Sequence, residues 1–191
     1  MNIIAIIGII IGIIGIILII SIIIYNKFQW YIIKLNKGET ILSTALDKKY
    51  NILLRYIDYL KTNVKIKNEE FEEFKLLNTK IPINKLNKKI NEMNNAINKV
   101  MDNNENLLKE ETIININKDL LEVNISINGS KKYYNDNLIT YNQLVNSFPS
   151  KIIALLFRYK EKDFLDEEIK EELKILDEDN EKSLINDVNS K

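Results

Sequence analysis

The side chains that most often carry out chemistry in proteins are either absent from this chain or scattered along it. The sequence contains no histidine and no cysteine. A conventional zinc site, a Ser-His triad and a 2-His-1-carboxylate iron site are therefore excluded on ligand or base identity. Disulfides, thiolate catalysis and cysteine-ligated iron–sulfur clusters are excluded in the same way. The sequence predicts no catalytic residues, no cofactor and no metal site.

The charged residues do not point to a ligand either. Lysine plus arginine equals aspartate plus glutamate at 27 each, and no compact basic patch with interleaved aromatics is present, so we expect no nucleic-acid partner. The acidic residues after Glu161 form no D-x-D-x-D-G loop of the kind that binds calcium. No paired ionisable groups interrupt an apolar stripe, as a catalytic cleft would require. We expect a protein that is not an enzyme.

The N-terminal two dozen residues are almost entirely apolar. Residues 2–26 carry no charge, and residues 3–24 are nearly continuous isoleucine. A bilayer core about 30 Å thick needs roughly 20 apolar helical residues, and lipid forces the backbone into a helix whatever the intrinsic propensity of isoleucine. A cleaved signal peptide would have a basic start, a shorter apolar run and a small-residue cleavage site. We therefore predict a retained transmembrane anchor over residues 1–26.

The flanks of this anchor indicate its orientation. No basic residue precedes the span, whereas Lys27, Lys34 and Lys37 follow it. The positive-inside rule then predicts a single-pass plasma-membrane protein with its N-terminus outside and its C-terminal bulk in the cytoplasm. Three aromatic residues are expected at headgroup level, namely Tyr25, Trp30 and Tyr31.

Four small residues of the anchor share one helical face. Ala5, Gly8, Gly12 and Gly15 are three, four and three residues apart. Such a face lets two membrane helices approach closely and form a homo-oligomer, although glycine is also simply common in membrane helices. Both interpretations stay open at this stage.

The rest of the chain carries helical periodicity. A first apolar stripe runs to Val64, continues over residues 71–81, and is interrupted by Pro82. A second stripe repeats every three or four residues as a coiled-coil seam over residues 83–100, and residues 102–106 predict the connection to a third helix. The first stripe consists of Leu35, Leu42, Leu46, Leu53, Ile57, Leu60 and Val64.

The third stripe is the most regular and predicts a helix from Ile113 to Phe148, ended by Pro149. Long amphipathic helices need packing partners, so we predict an all-α fold, with an antiparallel bundle of three to four helices over residues 27–160. The apolar residues 151–157 would pack under the bundle end or lie on the membrane surface, and we favour packing. From Glu161 the composition predicts a fraying helix and then a charged, flexible tail over residues 161–191.

One stretch near the C-terminus resembles a known family. Two Tyr-Asn pairs seven residues apart lead into a Ser-Phe-Pro-Ser turn and a short segment with Ala154 and Phe157. This pattern resembles the C-terminal signature of the LemA family, and Tyr25-Asn26 resembles that family's first Tyr-Asn pair. The residues that carry the resemblance and that we interpret as structural are Tyr134, Asn135, Tyr141, Asn142, Phe148 and Pro149.

The resemblance implies a bacterial protein with a small outer N-terminus, one span and a cytoplasmic helical bundle, without established catalysis and with a link to envelope stress. At seven-residue spacing, the tyrosines would pack and the asparagines would bond to a neighbouring helix. We expect a membrane-anchored scaffold that binds the bilayer and an unidentified membrane or cytoplasmic protein. The alternatives are an accessory subunit of a membrane enzyme and an amphipathic membrane-remodelling protein.

Overall fold

The computed structural model describes residues 3–64, 71–75 and 81–165, and all of the regular elements among them are helices, with no strand. The predicted all-α fold class is therefore confirmed. Within the described ranges the elements are α1 Ile3–Asn63, α2 Glu72–Lys75, α3 Ile83–Asp102, a short 3₁₀ helix Glu105–Lys109, α4 Glu111–Asn146 and α5 Ser150–Phe157.

Helix α1 joins the apolar N-terminal segment to the body without a break. Its most apolar 18-residue window has a mean hydropathy of 3.5 and is not buried within the molecule. By length and composition it can cross a membrane, and among the described residues it is the one helix that can. Its polar side chain at Ser21 donates to the Ile17 carbonyl at 2.8 Å, which satisfies the hydroxyl within the helix.

Helix α1 continues through Gly38, although glycine is unfavourable within a helix. The structure gives a reason for glycine at this position. A Cβ atom at this position would lie 3.2 Å from Cδ1 of Tyr133 and 3.3 Å from Cβ of Tyr134. Gly38 is buried where α4 approaches α1 closely, so the missing side chain makes room for the neighbouring helix.

The described residues form two compact units. The first comprises α1 up to Thr44, together with residues 126–162. Within it α1 and α4 are antiparallel, because Phe28 contacts Tyr141 while Gly38 contacts Tyr133. Its buried apolar side chains are Phe28, Leu35, Leu42, Ile127, Tyr134, Leu138, Tyr141, Ile153 and Ala154.

The second unit contains the remainder of α1, α2, α3 and α4 up to Ile125. In this unit α1 contacts α4 through an ion pair between Arg55 and Asp119. The hydroxyl of Tyr50 donates to the Phe74 carbonyl at 2.7 Å. The predicted stripes supply its core: Leu46, Leu53, Ile57, Leu60, Phe71, Phe74, Leu86, Ile90, Met93, Ile97, Ile113, Ile116 and Val123.

Two predictions about the end of the chain need correction. Helix α4 ends at Asn146 rather than Phe148, and the Phe148 side chain is 82% exposed. The residue before a proline is driven out of the helical region, so Phe148 cannot continue the stripe. The predicted helix after Glu161 is also absent from residues 161–165, which are not helical, and the remainder of the predicted tail lies outside the described residues.

Candidate membrane interface and the two Tyr-Asn positions

Five aromatic side chains meet just beyond the apolar part of α1, and we call them the aromatic cluster. The Tyr25 and Phe157 rings lie 4.8 Å apart between centroids, the Phe28 and Tyr159 rings 4.7 Å, and Tyr141 meets the Phe28 ring edge-on at 5.9 Å. Phe28 is fully buried. Each such pair contributes about 0.5–1.5 kcal/mol beyond area burial, so the cluster fastens α4, α5 and the segment after α5 to α1.

The Tyr141 and Tyr159 hydroxyls are not poised for acid–base chemistry at neutral pH. Burial raises the pKa of Tyr141, and burial also raises the pKa of Tyr159 against the opposing effect of its bond with Gln29. In that bond the Gln29 amide donates to the Tyr159 hydroxyl at 2.7 Å. A neutral, packed phenol is a structural group, so the cluster is best described as a packing contact.

Of the predicted interfacial aromatics, Tyr25 belongs to this cluster, and Trp30 and Tyr31 lie further along α1. The Lys34 ammonium sits 3.4 Å from the centroid of the Trp30 ring, and Tyr31 meets the Trp30 ring edge-on at 5.1 Å. Trp30 is 52% exposed. An exposed indole paired with a lysine suits the headgroup region of a bilayer.

Asn142, from the second Tyr-Asn pair, binds the backbone of the segment that follows α5. Its side-chain amide donates to the Lys162 carbonyl at 2.9 Å and accepts from the Lys162 N–H at 3.0 Å. One turn further along α4, Asn146 donates to the Glu161 carboxylate. Asn142 therefore holds a segment outside the helices, whereas the sequence predicted a bond to a neighbouring helix.

Asn135, from the first Tyr-Asn pair, behaves differently. It is 4% exposed, and neither its side-chain nitrogen nor its side-chain oxygen has a hydrogen-bond partner among the described residues. Its neighbour Tyr134 is buried against Gly38. The two pairs match in sequence, but only the second asparagine forms a two-sided bond with the backbone.

The Ser-Phe-Pro-Ser turn separates α4 from α5. The Ser150 hydroxyl donates to the Ser147 carbonyl at 2.9 Å, closing the turn. Phe148 and Pro149 both face outwards, so these two motif positions do not join the aromatic cluster.

The small-residue face of α1 is open. Ala5, Gly8 and Gly12 are exposed, and a Cβ atom added at Gly8, Gly12 or Gly15 would meet nothing within 4 Å. The face therefore has room for a second helix, and self-association through it stays a prediction.

Of two further features of the structure, the sequence left the first open and missed the second. The first is the exposed apolar face of α5, formed by Ile152, Leu155 and Leu156, whose sequence signal is that α5 is apolar on every side. The second is Lys61, whose ammonium nitrogen is buried and lies 3.9 Å from the Glu72 carboxylate; burial lowers the pKa of Lys61. Across residues 3–64, 71–75 and 81–165, no group of three or more acidic, histidine or cysteine side chains could hold a metal ion.

Together these features define an all-α protein with one N-terminal helix that is long and apolar enough to cross a bilayer. A family model described as the LemA family matches residues 43–175, which is more than half of the chain. The chain belongs to the LemA family, as its Tyr-Asn and Ser-Phe-Pro-Ser residues predicted. Comparison with curated proteins and with solved structures gives no match.

Proposed function

We propose that this chain is a membrane-anchored, non-enzymatic helical scaffold. Its single span holds the body at the plasma membrane, with the N-terminus outside and the body in the cytoplasm. The body presents helical surfaces to a membrane or cytoplasmic protein. Its role is linked to envelope stress, as the family resemblance implies.

One observation is the main support for the membrane anchor. Nearly every isoleucine between Ile3 and Ile23 is exposed on α1. Burying one such side chain is worth about 1.5–3 kcal/mol, so leaving this surface in water is very unfavourable. Residues 3–24 form about 33 Å of helix, which matches the hydrocarbon core of a bilayer.

The chemistry of the chain supports scaffolding over catalysis. The sequence has neither histidine nor cysteine, and burial raises the pKa of Tyr141 and Tyr159 so that both hydroxyls stay neutral. The two Tyr-Asn positions serve packing and backbone bonding in the described structure. These observations favour a protein that acts by holding a partner.

Extraction with alkaline carbonate tests the anchor. We expect the full chain to stay with the membranes, and the double variant Ile10→Arg/Ile14→Arg to be released, because each arginine at the centre of a span costs about 2.5–3.5 kcal/mol. Both positions are exposed, so the body is left unchanged. Release of the unaltered chain would contradict the proposal.

Orientation and partner need separate tests, and the absence of cysteine helps with the first. In intact cells, an impermeant thiol reagent should label Asn2→Cys and spare Thr44→Cys; the reverse pattern would overturn the orientation. Crosslinking in intact cells should then capture a distinct membrane or cytoplasmic protein. Recovery of the chain alone would replace partner scaffolding with a homo-oligomeric structural role.

A further inference from the structure

We infer that α5 lies on the surface of the same bilayer that α1 enters, with its outward face among the lipids. This inference rests on the proposed function, because it requires α1 to span a membrane. It goes further by assigning a second lipid contact to a segment in the C-terminal half of the chain.

Helix α5 is apolar on both of its faces. One face packs into the molecule, where Ser150, Ile153 and Ala154 are buried. The other face is uncovered: Leu155 and Leu156 are each 72% exposed, and Ile152 is 56% exposed. Phe148, in the turn that precedes α5, is a further exposed apolar side chain. A helix that is apolar all round is normally covered on all sides, so the outward face of α5 needs an occupant.

The position of α5 identifies lipid as that occupant. The Phe157 ring at its C-terminal end packs 4.8 Å from the Tyr25 ring, and Tyr25 directly follows the last isoleucine of the apolar stretch of α1. Helix α5 is therefore held where the proposed span leaves the hydrocarbon. Its uncovered residues continue the apolar surface that the anchor already presents to lipid.

The end of α5 is fixed, so the helix is held against the aromatic cluster. Arg158 adopts a left-handed conformation with φ 58°, and the Tyr159 N–H donates back to the Ala154 carbonyl at 2.9 Å. This arrangement is a Schellman motif, which terminates helices. Tyr159 then packs on Phe28, so α5 cannot swing away without breaking that contact.

Four basic side chains lie close to α5 or to the aromatic cluster along the chain. Lys151 and Arg158 lie at the two ends of α5, and Lys27 and Lys160 lie beside the aromatic cluster in sequence; all four are exposed. Helices that lie in the membrane interface combine an apolar face with basic residues that meet anionic headgroups. Glu161, the nearest acidic residue in sequence, is engaged by Asn146.

The test places one fluorescent probe on α5 in the full chain. Because the chain has no cysteine, Leu155→Cys can be labelled alone with a polarity-sensitive dye. The labelled protein is reconstituted into phosphatidylcholine–phosphatidylglycerol vesicles with or without lipids that carry a nitroxide near the top of the acyl chain. We expect a blue-shifted emission and loss of most of the dye fluorescence on nitroxide addition.

Two internal references make the result specific. Ile41→Cys is the matched control, because Ile41 is an exposed apolar residue of α1 about 24 Å along the helix from Tyr25, and its label should keep its fluorescence. Trp30 is the single tryptophan of the chain and reports on the anchor in the same vesicles.

Each outcome has a distinct meaning. Quenching of Trp30 without quenching at Leu155 would overturn the inference and leave the membrane anchor standing. Absence of quenching at both sites would contradict the anchor as well. A blue shift without quenching would overturn the lipid contact. If that blue shift disappears when excess lipid dilutes the protein, a second copy of the chain covers the face. If the blue shift persists on dilution, another part of the same protein covers it.

Discussion

Asn135 and Asn142 occupy matching places in the two Tyr-Asn pairs, yet their surroundings differ. Asn142 bonds to both backbone groups of Lys162, while the buried amide of Asn135 has no partner among the described residues. Removing a bonded polar group leaves its partners unsatisfied, whereas removing an unbonded one relieves a desolvation cost. The same substitution should therefore have opposite consequences at the two positions.

We predict that Asn142→Leu lowers the free energy of unfolding by about 1–3 kcal/mol, because two hydrogen bonds are lost and the Lys162 backbone is left unpaired. The amide proton of Lys162 should exchange faster with solvent. Denaturation of the full chain in detergent micelles and hydrogen exchange measure these two effects. Unchanged exchange at Lys162 would contradict the bond seen here.

Asn135→Leu is the matched variant, and we predict that it leaves the free energy of unfolding unchanged or raises it. The two side chains have similar size, and leucine brings no unsatisfied polar atoms into the core. The same denaturation measurement compares both variants. A loss as large as that of Asn142→Leu would mean that the Asn135 amide has a bonded partner in solution.

At the scale of elements, the packing of α4 on α1 depends on one glycine. Gly38 lets the helices approach until only 3.2 Å would separate an added Cβ from Tyr133. Gly129, within α4, faces open space. One glycine is needed for packing, while the other lies in a helix where alanine would be favoured.

We predict that Gly38→Leu lowers the free energy of unfolding by about 1–3 kcal/mol through overpacking, while Gly129→Ala raises it by about 1 kcal/mol through helix propensity. Chemical denaturation of both variants in micelles gives the comparison. A stabilising Gly38→Leu substitution would show that the close approach is absent in solution.

Helical periodicity was sufficient to predict the elements but not their surroundings. The three stripes identified the buried positions of α1, α3 and α4 because a helix buries residues three and four apart. The role of Gly38 could not be predicted, because it depends on which residues of α4 lie opposite. Packing and membrane contact stayed alternatives for α5 for a related reason: composition shows that residues are apolar, but not on which side a neighbour is present.

At the scale of the whole molecule, three tyrosines that packing shields from solvent make stability depend on pH. Burial raises the pKa of Tyr56, Tyr141 and Tyr159 in the folded state. An unfolded tyrosine ionises near pH 10. Above that pH the folded state binds more protons than the unfolded state, so the free energy of unfolding falls as pH rises.

We predict that the stability of the full chain declines above about pH 10, and that Tyr141→Phe makes the decline shallower because it removes one of the three linked groups. Urea denaturation at a series of alkaline pH values measures the slope, and ultraviolet absorbance follows tyrosinate formation. A free energy of unfolding that stays constant past pH 10 would contradict the assigned direction of these shifts.

The unbroken course of α1 has a mechanical consequence. A transmembrane helix tilts when the hydrophobic length of its span exceeds the thickness of the bilayer. Thr44 lies about 28 Å along the helix from Tyr25, so a lean of roughly 10° carries it sideways by about 5 Å. With α1 spanning a bilayer as proposed, a change in lipid thickness would thus displace the part of α1 that follows Tyr25, with no hinge required.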